Sequence, residues 1–190
     1  MKKLLLIALL LIAFSSFAQQ AVNMPKDSTT SKVAYIEVVE AEGVTAAELY
    51  SRAREWVSTS YKSANNVLQM DDKQEGKLIG KAYQDFVVPT AISKVTEQMW
   101  YTFKIYVKDN KYRYEITDIY SKGYPTQSNG FKSTEMNVEE FFSKRAYNKK
   151  GEMKESFVQY LTPMDSGIKD LIVSLKTAMG KKASLVKDDW

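Results

Sequence analysis

The sequence predicts an α+β fold with the element order β-α-β-β-β-β-α, and three observations carry that prediction. Met99, Tyr101, Phe103, Ile105 and Val107 alternate with Trp100, Thr102, Lys104, Tyr106 and Lys108, the period of a half-buried strand. A two-residue turn at Asp109-Asn110 then sends the chain back through Lys111 to Tyr120, which makes the two stretches an antiparallel hairpin. Two further segments, one near the start of the domain and one at its end, space their apolar residues by three and four, as helices with one buried stripe do.

Taken in order, Val33 to Glu40 is rich in Val, Ile and Tyr and reads as a first strand, ended by Gly43. Thr45-Ala46-Ala47-Glu48 has the form of a capping box, in which a threonine oxygen and a glutamate satisfy free amides at a helix start. Leu49, Ala53, Trp56 and Val57 supply the apolar stripe of the helix that runs from there to about Ser60. Val67 to Met70 is a short second strand, and Asp71-Asp72-Lys73-Gln74-Glu75-Gly76 is turn chemistry. Lys77 to Phe86 is a third strand in which Gly80 marks a bulge or a close backbone approach. Pro89 to Ser93 connects it to the hairpin.

The hairpin turn sets its own register. Lys108 faces Lys111, so Val107 faces Tyr112, Ile105 faces Tyr114 and Phe103 faces Ile116 on one side. The other side pairs Tyr106 with Arg113 and Lys104 with Glu115. A slip by one residue would turn the apolar set to water, so the agreement of both sides supports this pairing. The two facing lysines are mildly adverse, at an end where salt screens them.

Residues 121–150 are rich in Ser, Lys, Asn and Gly and read as the most mobile part of the domain, with one short helix at Asn137 to Lys144 that repeats the capping pattern. Its cations Lys144, Arg145, Lys149 and Lys150, with Lys154 after them, read as a solvated surface. Met153, Phe157, Tyr160 and Leu161 suggest another helical turn or two. Thr162-Pro163 then opens the last helix, with Ile168, Leu171, Ile172, Leu175 and Met179 as its stripe and Gly180 as its stop. Residues 181–190 read as a frayed tail.

Ahead of this domain, Met1-Lys2-Lys3, the apolar run from Leu4 to Phe14 and the small residues Ser16 and Ala18 have the form of a secretory signal peptide, cut after Ala18. The apolar run is too short to span a bilayer, and Gln19 to Ser31 reads as a flexible leader. The expected product is exported, periplasmic or extracellular, with no transmembrane helix and, lacking cysteine, no lipid anchor. Two lysines leave with the signal, so 25 basic side chains face 23 acidic ones and the net charge falls from +4 to +2. That balance argues against bulk nucleic-acid binding, which needs a basic face neutralising several phosphates.

The signal end Phe17-Ala18-Gln19, the helix from Ala47-Glu48-Leu49-Tyr50 through Arg54-Glu55-Trp56, the segment from Asp72 through Gly76-Lys77-Leu78-Ile79-Gly80-Lys81, and the hairpin Tyr101 to Tyr120 together resemble an uncharacterised family of exported Bacteroidetes domains described as having a TATA-binding-protein-like (TBP-like) fold. The resemblance covers about residues 32–180, read as one domain with the polar insert inside it. It implies a curved five-stranded antiparallel sheet with helices packed on one side, and it supplies no activity and no catalytic residues. Ala82 departs from it, standing where a glycine is expected.

Chemistry is narrowed by composition. The chain has no cysteine and no histidine, which removes disulfides, thiolate nucleophiles, imidazole bases and the usual zinc sites. The Asp71 to Gly76 segment puts Lys73 at a ligand position of a calcium loop and Ala82 where the bidentate acid belongs, so it reads as a plain turn. Gly76-Lys77 and Gly80-Lys81 have the wrong spacing for a phosphate loop. Ser166-Gly167-Ile168-Lys169 fits a serine–lysine pair but lacks its companion motifs. No cofactor, metal or catalytic residue is assigned.

What remains is a surface. With Phe103, Ile105 and their partners under the helices, Trp100, Lys104, Tyr106 and Arg113, joined by Lys81 and Tyr83, line the opposite side of the sheet. Amphipathic side chains covering a solvated sheet account for much of that pattern. The cost of leaving Trp100 in water is the argument for a ligand. A noncatalytic envelope module binding a glycan, a peptide, a lipid headgroup or a protein is the leading reading. A hydrolase using carboxylates or Ser-Lys and a structural domain that self-associates into homo-oligomers are the alternatives.

Overall fold

The hairpin at the centre of the sequence is also the centre of the sheet. In the computed structural model, which describes residues 22–90, 92–125 and 133–181, six strands form a single antiparallel sheet: β1 (Tyr35–Glu40), β2 (Leu68–Asp72), β3 (Lys77–Pro89), β4 (Lys94–Lys108), β5 (Lys111–Gly123) and β6 (Glu135–Asn137). Their spatial order is β1-β5-β4-β3-β2, with β6 also on β5. Helices α1 (Ala46–Ser60) and α3 (Glu155–Met179) pack on one side, and a single turn, α2 (Ala64–Val67), leads into β2. The segment read as a signal peptide, residues 19–21 of the expected leader, residues 126–132 of the insert and the tail from residue 182 lie outside the described residues.

The hairpin pairs as its turn dictates. Lys108 faces Lys111, Val107 faces Tyr112, Ile105 faces Tyr114 and Phe103 faces Ile116, with Tyr106 opposite Arg113 and Lys104 opposite Glu115. Tyr101, Phe103, Ile105, Tyr112, Tyr114 and Ile116 are buried among Trp56 and Val57 of α1 and Ile168, Leu175 and Met179 of α3. Gly80 sits directly across from Phe103, and the Phe103 ring lies over it so closely that a side chain there would overlap the ring. Opposite Gly80, the β2–β3 pairing steps by one residue between Leu68 and Met70, so both sequence readings of this glycine hold at once.

The loop before α1 is fastened by the hairpin turn. Asn110 adopts φ 65°, and its Oδ1 accepts the Gly43 amide at 2.8 Å, while Asp109 Oδ1 accepts the Ala46 amide at 2.7 Å. Thr45 caps as expected, accepting the Glu48 amide at 3.2 Å. The reciprocal half of the capping box is not made, because the Glu48 carboxylate pairs with Arg52 one turn on.

Four elements differ from the sequence reading. Residues 22–31 are not a loose leader: Met24 is buried, Lys26 bridges to Val33, and Asp27 closes a turn through the Thr29 and Thr30 amides. The described parts of the polar insert are built into the sheet and core, with β6 paired to Tyr120–Lys122 and Val138, Phe141 and Ala146 buried. The short helix there is 3-10 (Val138–Phe142), and it does carry the Asn137–Glu140 capping box. The closing helix starts at Glu155 and runs through Pro163 instead of opening on it, with Leu161 and Met164 wholly buried on either side of the proline. In each case an apolar residue with a distant partner outweighs a local polar or proline signal.

Candidate functional site

Because side chains alternate across a strand, the residues between the buried ones emerge on the side of the sheet away from α1 and α3. The pairings arrange them in rows that cross the strands. One row is Tyr83, Trp100 and Tyr120; a second is Lys81, Thr102 and Thr117; a third is Ile79, Lys104, Glu115 and Ile36; a fourth is Lys77, Tyr106, Arg113 and Val38. All six sequence-nominated residues, Lys81, Tyr83, Trp100, Lys104, Tyr106 and Arg113, therefore share one face.

Tyr120 enters the first row through a bulge. Between Trp100–Tyr120 and Thr102–Thr117 the pairing gains one residue on β5, and Asp118 takes it up at φ 51°. Before the bulge the even-numbered residues of β5 are buried; after it Ile119 and Ser121 are, and Tyr120 turns to the open face. The break in alternation at Ile116-Thr117-Asp118-Ile119, with an aspartate inside a strand, is the signal that would have revealed it.

The rings interlock. Trp100 and Tyr120 are nearly parallel, with centroids 6.1 Å apart, and Tyr83 lies 4.8 Å from Trp100 at a 33° tilt. The Lys81 ammonium stands 5.2 Å from the Tyr120 ring and 6.0 Å from Trp100. Trp100 Nε1 donates to Gln98 Oε1 at 3.1 Å, so the indole is half-buried and satisfied by its own neighbours, which lowers the exposure cost that first singled it out. Tyr83 remains 47% exposed, as are comparable fractions of Ile36, Val38 and Met70 on the same face.

Toward the hairpin turn the face becomes more basic. The Arg113 guanidinium sits 4.6 Å from the Tyr106 ring and 2.9 Å from Glu115, which also holds Lys104 at 3.6 Å; Lys77 reaches the Tyr106 ring at 5.7 Å. Val38, Tyr106, Lys108, Lys111, Tyr112 and Arg113 enclose a depression of about 400 Å³.

The helix side offers less chemistry. A groove of about 710 Å³ contains Glu97, Glu155 and Tyr160, but the Glu97 carboxylate accepts the Tyr160 hydroxyl and Glu155 accepts from Gln159 at 2.9 Å. Burial, then the hydrogen bond to Glu97, raises the Tyr160 pKa above its ordinary value, so this phenol holds its proton. The Lys169 ammonium bonds Asp165 at 2.7 Å, an ion pair that competes with any role as a base toward exposed Ser166. Asp72 Oδ1 accepts the Gln74 and Glu75 amides at 3.0 Å each, so the segment is a turn as read, except that Asp71 and Asp72 still belong to β2. Among the described residues no three carboxylates converge to hold a metal, and no helix is long and apolar enough to cross a membrane.

Strand order, the Gly80–Phe103 approach and the hairpin register now stand together, and the match to known proteins falls on that stretch of chain. Residues 35–122 match the family described as a domain of unknown function (DUF4468) with TBP-like fold. That segment runs from the start of β1 to within one residue of the end of β5, so it contains most of the open face. A crystal structure of a DUF4468 family protein from Bacteroides ovatus is similar at TM-score 0.66 and 17% identity, covering 85% of this chain and 92% of that one. One of a TBP-like protein from Parabacteroides distasonis is similar at TM-score 0.62 and 17% identity, covering 82% and 96%. At that identity the likeness is one of fold. No curated protein matches the chain.

Proposed function

We propose that this chain is an exported, noncatalytic binding module of the cell envelope that holds its ligand on the helix-free face of the sheet. The observation that carries the reading is the ladder of Tyr83, Trp100 and Tyr120 across three strands, with Lys81 over two of its rings. Its members are already locked against one another, so a ligand that lands there immobilises few free rotamers and keeps more of its contact energy. Aromatic faces with ammonium and guanidinium groups between them suit a ligand with apolar ring or chain surface and polar or negative substituents. The signal sequence supports the location.

Binding of glycan, peptide and anionic-lipid panels by the purified mature chain tests this, with Trp100→Ala and Arg113→Ala as variants. Loss of binding in the variants, with far-UV circular dichroism unchanged, is the expected outcome. A verified ligand that both variants bind undiminished removes this face from the account. Self-association through the same face is the competing reading, favoured by exposed Ile36, Val38 and Met70. Light scattering across a concentration series separates the two, since a dimer on this face dissociates on dilution and in Val38→Glu.

A further inference from the structure

Lys108 and Lys111 lie directly opposite each other on the open face, an arrangement that destabilises a hairpin. Glu40 is across from Lys111 on β1, yet among the described residues neither lysine has a carboxylate within ion-pair distance. Together with Arg113 these two ammonium groups line the depression that Tyr106 and Val38 floor with apolar surface, and none of its lining residues is acidic. Three basic residues line one concavity, and of these only Arg113 has an ion-pair partner, Glu115.

We infer that this depression is the anion subsite of the binding face proposed above, on which the inference rests, and that the ligand is an acidic oligosaccharide of the uronate type. A carboxylate between Lys108, Lys111 and Arg113 removes the repulsion that the hairpin otherwise carries. From Tyr106 to Trp100 is six residues of one strand, about 20 Å, the length of roughly four hexose rings. The rows between offer Thr102 and Thr117 hydroxyls and the Lys81 ammonium, while Lys104 is already paired with Glu115, so this stretch suits sugar hydroxyls and the ligand's charge is read at the depression. The ladder then takes the C–H face of the last ring. A peptide is served less well, because the face of a sheet presents no free backbone groups and extended peptides gain their affinity by adding to an edge.

The test is calorimetric titration of the mature chain with tetragalacturonate at low and physiological salt, beside neutral maltotetraose, an acidic octapeptide, a thymidine octanucleotide and phosphatidylglycerol vesicles. Expected are binding of tetragalacturonate that weakens as salt rises, at least tenfold weaker binding of maltotetraose, and about tenfold loss in each of Lys111→Ala and Arg113→Ala. Lys108→Ala and Lys111→Ala also leave thermal stability equal or higher, which guards against loss by misfolding. Equal binding of both sugars, abolished by Trp100→Ala but indifferent to Lys111→Ala, overturns the anion subsite and leaves the face standing. Preference for peptide, nucleic acid or vesicles, again lost in Trp100→Ala, overturns the oligosaccharide and leaves the face standing. Binding of no probe, or binding that no variant alters, overturns both.

Discussion

The Gly80→Ala substitution is expected to cost about 1–2 kcal/mol, against the usual direction for glycine in a strand. Alanine there normally gains up to about 1 kcal/mol, by reducing the freedom of the unfolded chain. Here the new Cβ would lie 2.2 and 2.5 Å from Phe103 Cζ and Cε1, whereas carbon atoms rest about 3.5–4.0 Å apart. The ring must therefore move by more than about 1 Å. It is held edge-on by Trp56 at 5.6 Å and face-on by Tyr61 at 5.7 Å and 4°, and Tyr61 is tied to Tyr101 through their hydroxyls at 3.2 Å. Overpacking of so enclosed a ring costs about 2–3 kcal/mol, which exceeds the strand gain. Phe103→Leu removes the two ring atoms in conflict, so Gly80→Ala becomes neutral or slightly stabilising in that background. Urea unfolding followed by circular dichroism on the four proteins of the cycle reads a coupling of about 1–3 kcal/mol with little change in slope. The same Gly80→Ala cost in both backgrounds, or none in the wild type, would refute the packing argument.

Asp109→Ala is expected to lower stability by about 1 kcal/mol, seen as a melting-temperature drop of about 2–4 °C, because α1 loses the acceptor for its Ala46 amide; Asp109→Asn keeps an oxygen there and loses less. Pro163→Ala is expected to stabilise by up to about 3 kcal/mol, since it restores a donor inside α3; a loss of stability in the same urea assay would show that the proline shapes the helix for packing. At alkaline pH, burial raises the pKa of Tyr35, Tyr61, Tyr101 and Tyr114, and pushes Tyr50 and Tyr112 up to about 12. An unfolded tyrosine titrates near pH 10, so below that pH the stabilisation is complete, and above it the unfolded state sheds protons that the fold retains. Stability is therefore expected to fall from about pH 10 upward, with tyrosinate absorbance rising together with loss of circular dichroism; full titration of these tyrosines in an intact fold would contradict it. At the acid end, hydrogen bonds from Lys176 and Tyr114 hold the Glu37 carboxyl below its usual range, so its contribution is present above about pH 4.5 and disappears as pH falls through the lowered value; Glu37→Gln flattens that limb of a stability–pH curve.

Alternation along β4 and the two-residue turn were enough to determine the hairpin register and which side of Trp100 and Tyr106 faces away from the helices, because a period of two leaves only two choices and one of them drowns Phe103 and Ile105. Thr45 likewise declared its helix start, since a cap is made within three residues of itself. Other features depended on partners far along the chain. A single left-handed residue, Asp118, shifts the parity of β5 and brings Tyr120 beside Trp100, and local composition marks such a bulge only faintly. Met24, Val138 and Phe141 sit in polar-looking segments and are buried because sheet and helix present apolar surface there. The depression at Lys108, Lys111 and Arg113 needs Val38 from the neighbouring strand β1, which only the strand pairing places beside them. Local periodicity, in short, decides which atoms leave water; how distant strands meet decides what the remaining atoms can hold.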